Sequence, residues 1–289
     1  MTGDLTKPSA VAALLKKYDL RPSKGLGQNF LVDGHALQKI VDAAAVRGED
    51  TCLEIGPGLG TLTRELSRRC QRVIAIEKDR KLTPVLAESL AECSNVALVW
   101  GDALQVDIAA LLVPYPAPYK VVANLPYYIT TPILMGLLES GLPWDRLVFL
   151  MQKEVAQRIV AKPGSADYGS LSVAVGFFAQ AEIVAHVPPT AFFPPPKVSS
   201  TVLLLRAIAD PTKHHGVLDQ KVFFATLKAA FGQRRKTLLN ALSAGSTHLG
   251  KDDLRQIIAG LGLREDIRGE ALSLADFVRL GNEISRSGR

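Results

Sequence analysis

The chain has 289 residues, 47% hydrophobic and 21% charged, the balance of an ordinary folded protein with apolar mass for a large core. No stretch approaches 18 consecutive apolar residues, the opening MTGDLTKPSA is no secretory leader, and Cys52, Cys70 and Cys93 are too far apart for a metal or disulfide framework, which leaves a cytoplasmic protein with reduced thiols. The net charge of +6 is uneven: residues 201–289 carry 14 Lys/Arg against 9 Asp/Glu, and residues 1–200 carry 20 against 19, so the last third suits a polyanionic partner or, more plainly, a solvated helix surface.

Residues 1–50 read as an N-terminal helical segment. From residue 51 a strand-then-helix rhythm begins. Residues 51–55 (TCLEI) are a short apolar run broken by Gly-Pro-Gly. Helical spacing follows at 62–69, a strand at 72–77 (RVIAIE), a helix at 82–90 and a strand at 96–100. Further strands are predicted at 119–123 (YKVVA) and 147–151 (LVFLM), a helix at 154–161, and two last strands at 181–187 and 198–206. Apolar strands alternating with amphipathic helices predict a parallel sheet covered on both faces. Seven of them give a doubly wound, Rossmann-like α/β domain over residues 51–210. Residues 207–216 (AIADPTKHHG) have the composition of a linker. After it the strand pattern stops, and helical spacing at 220–242, 251–259 and 273–283 predicts a small all-helical domain over 211–289.

Candidate chemistry gathers at the ends of the predicted strands. The run EIGPGLG at 54–60 sits where the first strand hands over to a helix, and Gly56, Gly58 and Gly60 let the backbone turn and approach a ligand that a Cβ would block. Glu77 ends the second strand, 21 residues after Gly56, a spacing that suits a carboxylate accepting both hydrogen bonds of a ribose diol. Gly101-Asp102-Ala103 ends the third strand. Asp102 there can accept from an adenine amine, or simply cap a helix. An adenosine-containing cofactor is the common reading, with NAD in competition.

The fourth strand leads into Asn124-Leu125-Pro126-Tyr127-Tyr128. The exocyclic amine of adenine is a poor nucleophile because its lone pair is delocalised into the ring. Acceptors aimed at its two N–H bonds favour a pyramidal nitrogen and free that pair. The Asn124 side-chain oxygen and a main-chain carbonyl from Leu125-Pro126 can serve, Pro126 stiffens the loop, and Tyr127 can stack on a base that has left its helix. The bland alternative is a proline loop with two packed tyrosines. A nicotinamide enzyme would leave this loop unexplained, and no His or Lys is placed to assist hydride transfer. His186, His214, His215 and His248 form no metal constellation, and no metal is expected.

These motifs, with GLGQNFL at 25–31, GDAL at 101–104, QKEVAQR at 152–158, FFPPPKVSS at 192–200 and FGQRRKTLLN at 231–240, closely resemble the KsgA/dimethyladenosine transferase family of rRNA adenine N6,N6-dimethyltransferases over nearly the whole chain. The resemblance implies that Gln28, Asn29, Leu31, Gly56, Gly58, Gly60, Glu77, Lys78, Asp102, Ala103 and Asn124 lie about S-adenosyl-L-methionine. It implies that Tyr127 and Phe192 sandwich the target base, although Phe192 beside a proline run could equally be a core aromatic. It further implies a cytoplasmic monomer acting on two adjacent adenines of 16S rRNA within an immature small ribosomal subunit. Arg234, Arg235 and Lys236 are consecutive, fan around a predicted helix and are candidates for the RNA backbone. Two rivals remain: a large-subunit rRNA adenine N6-methyltransferase of the antibiotic-resistance type, and a non-catalytic nucleic-acid-binding factor of the same fold.

Overall fold

The structure is a computed structural model and describes residues 3–23, 25–127, 129–233, 235–245 and 249–288. Along the chain run α1 (Pro8–Lys17), β1 (Phe30–Leu31), α2 (Gly34–Ala44), β2 (Thr51–Ile55), α3 (Thr61–Ser67), β3 (Arg72–Glu77), α4 (Thr83–Ser89), β4 (Val96–Trp100), α5 (Ile108–Leu112), β5 (Tyr119–Asn124), α6 (Thr130–Glu139) and β6 (Trp144–Gln152). Then come α7 (Lys153–Val160), α8 (Ser170–Phe178), β7 (Ala179–Val187), β8 (Phe192–Phe193), β9 (Ser200–Ala207), α9 (Pro211–His215), α10 (Gln220–Gly232), α11 (Leu238–Ser243), α12 (Lys251–Gly260) and α13 (Leu274–Ser287). The chain divides into two compact units, Met1–Ala156 with Ala181–Ala207, and Gln157–Gln180 with Ile208–Arg289.

The first unit holds a seven-stranded sheet in the order β4-β3-β2-β5-β6-β9-β7. All seven predicted strands are in it. The expected all-parallel pairing is corrected: the β4-β3-β2-β5-β6 pairings are parallel, but β9 runs antiparallel to β6, from Arg146 opposite Arg206 to Gln152 opposite Ser200. Both β6 and β9 are buried apolar runs, so hydropathy reports their burial and is silent on their direction. The strand order reverses between β2 and β5, the crevice where ligands of open α/β sheets bind.

The core explains the layering. Helix α2 starts at an Asp33 cap on the Ala36 N–H (2.9 Å) and buries Leu37, Ile40, Val41 and Ala44 at helical spacing. These join Leu62 and Leu66 of α3 and Val73, Val122, Val148 and Val202 of the sheet in one cluster. A second cluster packs Val11, Leu14 and Leu15 of α1 on Phe30, Leu59, Val85 and Leu86. At the far end of the sheet Lys120 is buried, its Nζ donating to the Ala44 and Ala45 carbonyls and to Asp145 (2.8 Å), with Asp50 at 3.4 Å. It ties the end of α2 to the sheet.

The second unit is helical and includes α8, a stretch that the sequence reading left inside the α/β domain. That helix is apolar nearly all round (SLSVAVGFF), so it has no polar face to give to solvent. Its Phe177 stacks on Phe223 of α10, with centroids 4.9 Å apart. The predicted helix over 220–242 is in fact two. Helix α10 ends at Gly232, and α11 begins after Thr237, whose hydroxyl accepts from the Asn240 N–H. The predicted linker likewise contains the short helix α9, capped by Asp210 on the Lys213 N–H.

Candidate active site

One cleft collects the strand-end residues. It is lined by residues 26–31, 54–59, 76–78, 101–103 and 124–127, with Ile40, Thr61, Leu62 and Ile129. Of the predicted site residues, Gln28, Asn29, Leu31, Gly56, Gly58, Glu77, Lys78, Asp102, Ala103, Asn124, Leu125, Pro126 and Tyr127 all line it.

The turn after β2 has the conformation its glycines permit. Gly58 has φ +59°, and a Cβ there would lie 3.2 Å from the Phe30 ring. The backbone therefore packs against the 26–31 segment, and its Gly56 and Gly60 amides donate to the Ile76 and Pro57 carbonyls (2.9 Å each). Gly60 does a different job: it precedes α3, and a Cβ on it would meet Ser89 Oγ at 2.8 Å. It serves packing between α3 and α4 and does not line the cleft.

Glu77 is 6% exposed. Its Oε2 accepts from the Gly58 N–H (3.2 Å) and its Oε1 from the Asp79 N–H (2.7 Å). Burial raises its pKa, and these backbone donors partly offset the rise. Asp102 is the opposite case. Lys78 Nζ donates to its Oδ2 (2.8 Å) and the Leu104 N–H to its Oδ1 (3.0 Å), which together hold its pKa below the usual carboxylate range. Asp102 thus closes a turn and does not cap a helix; the helix that follows, α5, is capped by Asp107 on the Ala110 N–H (3.0 Å).

Glu54 lines the cleft too and is 1% exposed. Its Oε2 has no hydrogen-bond partner among the described residues, and burial pushes its pKa up to about 8. Sequence reasoning used Glu54 only as part of a glycine motif. The signal it overlooked was a charged residue inside a short run, TCLEI, read as a buried strand.

At the end of β5, the Asn124 Nδ2 donates to the Asn29 carbonyl (3.1 Å). That donation fixes the amide, so Oδ1 remains as its acceptor. The Pro126 carbonyl already accepts from the Ile129 N–H (3.2 Å) and the Thr130 hydroxyl (3.1 Å). The Leu125 N–H donates to Leu150 (3.1 Å), and no described donor takes the Leu125 carbonyl. Of the two carbonyls expected from sequence, Leu125 is the open one. Tyr127 is half-buried; its hydroxyl and Ser200 Oγ are 2.7 Å apart, and burial raises its pKa. Tyr128 lies outside the described residues.

The structure does not bring Phe192 to the cleft. It is 3% exposed, sits in the α2–sheet cluster and pairs with Leu31 across the β1–β8 ladder. Arg235 and Lys236 are exposed on the turn between α10 and α11, and so do not fan around a helix; Arg234 and His248 lie outside the described residues. Among the described residues no cluster of three His, Cys, Asp or Glu could hold a metal ion, and no helix is long and apolar enough to cross a membrane.

Comparison with known proteins bears on the same cleft. A family model described as ribosomal RNA adenine dimethylase matches residues 20–285. The chain is 44% identical over 283 residues to the ribosomal RNA small subunit methyltransferase A of Alkaliphilus metalliredigens, covering 97% of this chain and 98% of that one. Among solved structures, a dimethyladenosine transferase from Plasmodium falciparum superposes with a TM-score of 0.76 at 27% identity, covering 89% of this chain and 98% of that one. The 23S rRNA methyltransferase ErmE gives a TM-score of 0.68 at 26% identity, covering 89% and 100%. A match spanning nearly every element, on a sheet whose strand ends carry the cleft just described, identifies the chain as a member of the ribosomal RNA adenine dimethylase family of methyltransferases.

Proposed function

We propose that the protein transfers methyl groups from S-adenosyl-L-methionine to the N6 amine of two adjacent adenines in a 3′-terminal hairpin loop of 16S rRNA, acting in the cytoplasm, as a monomer, on an immature small ribosomal subunit. The observation that carries this reading is the pair of open acceptors, Asn124 Oδ1 and the Leu125 carbonyl, beside a glycine turn and two carboxylates in one cleft.

The residues fit a sulfonium cofactor. At Gly58 a Cβ would press on the Phe30 ring of the cleft wall, and Glu54 Oε2 is a buried polar atom without a partner among the described residues. Glu77 would hold the ribose diol and Asp102, steadied by Lys78, the adenine amine. When bound, the cofactor supplies an already activated methyl group. The protein's work on the target is then alignment. Asn124 and Leu125 each accept one N–H of the target amine, and the nitrogen lone pair turns toward the methyl. Tyr127 offers a π face to the flipped base, with Ser200 fixing its ring. Burial keeps the phenol neutral, so Tyr127 is not the base, and we assign the proton that the nitrogen loses to water. Phe192 becomes a second stacking face only if the 192–199 segment shifts to uncover it. Arg235 and Lys236, with Arg234, would meet RNA phosphate.

The 44% identity to a small-subunit enzyme, against 26% to ErmE, favours the small subunit over the large one. The test is incubation with labelled S-adenosylmethionine and each undermethylated subunit, followed by nucleoside analysis. Label in N6,N6-dimethyladenosine from the small subunit is expected. Label confined to the large subunit would favour the rival enzyme, and none in either the binding factor.

A further inference from the structure

Gln28 lines the cleft, yet both ends of its amide are already engaged. Its Oε1 accepts from the Ser23 N–H (2.8 Å), and its Nε2 donates to Asp79 Oδ2 (2.8 Å). The Gln28 N–H in turn donates to the Ser23 carbonyl (3.1 Å), so Ser23 and Gln28 are joined by a side-chain and a main-chain bond. Asp79 is equally committed. Its Oδ1 accepts from the Lys81 N–H (3.1 Å), and its own N–H donates to Glu77 Oε1 (2.7 Å). One residue further on, the Asn29 carbonyl is held by Asn124 (3.1 Å).

We infer that the Gln28–Asp79 pair is a clasp that fastens the 23–31 segment across the cofactor cleft and sets how long a nucleoside cofactor stays bound. On this assignment, which rests on the cofactor reading above, Gln28 is a positioning residue and not a cofactor ligand. The chemistry supports it. One N–H and one lone pair of the amide stay open, but with Ser23 on its oxygen and Asp79 on its nitrogen the amide plane is set by the protein and not by a ligand. The bond to Asp79 is charge-assisted, the stronger kind. Asp79 also touches, through its backbone, the carboxylate assigned to the ribose. Occupation of Glu77 and closure of the segment therefore share one residue, which links retention of the ligand to the clasp. Further along, the segment is held by the Asn29–Asn124 bond, by Phe30 and Leu31 in the two core clusters and by the two-residue pairing of β1 with β8; the Gln28–Asp79 bond is what holds its start.

The polarity of the pair gives a clean test. Gln28→Glu places two carboxylates face to face. Asp79→Asn has one oxygen for two donors: it faces Gln28 Nε2 or the Lys81 N–H with a nitrogen, unless Gln28 flips and strips Ser23 of its acceptor. The double variant Gln28→Glu/Asp79→Asn restores one donor and one acceptor in reversed sense and keeps the Ser23 bond. S-adenosylhomocysteine is the probe, with its dissociation rate followed by stopped flow on the full chain. Hydrogen exchange over residues 20–30 is read in the same samples. Each single variant should release the probe about 10-fold or more faster, the loss expected of a hydrogen bond to a charged group, and should exchange faster at Ser23. The double variant should return to within about threefold of the wild type, the coupling that a pair in contact shows. Unchanged release in the single variants, or a double variant as fast as the two losses combined, overturns the clasp and leaves the cofactor reading standing. A wild-type chain that does not bind the probe overturns both.

Discussion

Along the edge formed by β2, β3 and β4, the polar groups of the cleft are mostly spoken for before any ligand arrives. Glu77 is bonded to Gly58 and Asp79, Asp102 to Lys78 and Leu104, and Gln28 to Ser23 and Asp79. At the end of β5 the reverse holds: Asn124 uses its donor and keeps its acceptor, and Leu125 keeps its carbonyl. The first region is preorganised by internal bonds, as suits a ligand that must be held in one pose. The second keeps two acceptors in reserve, as suits an amine whose N–H bonds must be met only when it is to react. Replacements on the two sides should therefore fail differently.

The largest loss of cofactor affinity is expected from Gly58→Val. A side chain at φ +59° costs about 1–2 kcal/mol, and its Cβ would press into the Phe30 ring. Affinity for S-adenosylmethionine should drop about 100-fold or more by calorimetric titration; a drop under threefold would show that the turn is not a cradle. Glu77→Ala comes next. Removing a hydrogen-bonding carboxylate costs roughly 1.5–3 kcal/mol, or about 10- to 100-fold in affinity. A variant that binds S-adenosylmethionine as tightly as the wild type would take the ribose away from Glu77.

On the target side, Tyr127→Ala should leave cofactor affinity nearly untouched and weaken capture of the flipped base by about 1–3 kcal/mol. Tyr127→Phe keeps the ring, loses only the Ser200 contact, and should retain most of the activity. Equal loss in both variants in single-turnover assays would move the role from the ring to the phenol hydroxyl.

The smallest effect is on stability. Glu54 titrates near 8 in the folded chain, against about 4.3 for a free glutamate. The folded state thus binds more protons than the unfolded one over that interval. The contribution is fully favourable below pH 4 and is lost as the pH rises toward 8. Glu54→Gln should flatten this slope and melt a few degrees higher than the wild type at pH 8, with little difference at pH 5. Parallel melting curves across that range would show that the carboxylate is not held neutral.

How much of this the sequence revealed varies with the kind of signal. The seven strands were legible because each is a short apolar run with punctuation, and the strand-end motifs because glycine, proline and acidic residues have few reasons to gather there. The antiparallel β9 was not legible, since a buried run looks the same in either direction. Helix α8 was missed because SLSVAVGFF lacks the polar face that gives a helix its period. The break at residues 233–237 was hidden by the helix-favouring residues around it. Within the site, what each residue is bonded to stayed out of reach. Nothing in the local order of GLGQNFL reveals that Gln28 answers to Asp79, 51 positions away, or that Pro126 has spent its carbonyl on Ile129 and Thr130.

The central claim is that Asn124 serves the reaction more than the binding of cofactor. Asn124→Ala, saturated with S-adenosylmethionine and mixed in excess with undermethylated small subunits, measures this in a single turnover, beside a calorimetric titration of the same sample. The expected result is a transfer rate lower by about 100- to 1,000-fold, the cost typical of removing one preorganised group from a reacting centre, with cofactor affinity within about 10-fold of the wild type. Transfer at near wild-type rate, or a loss of rate wholly matched by a loss of cofactor binding, would contradict the account.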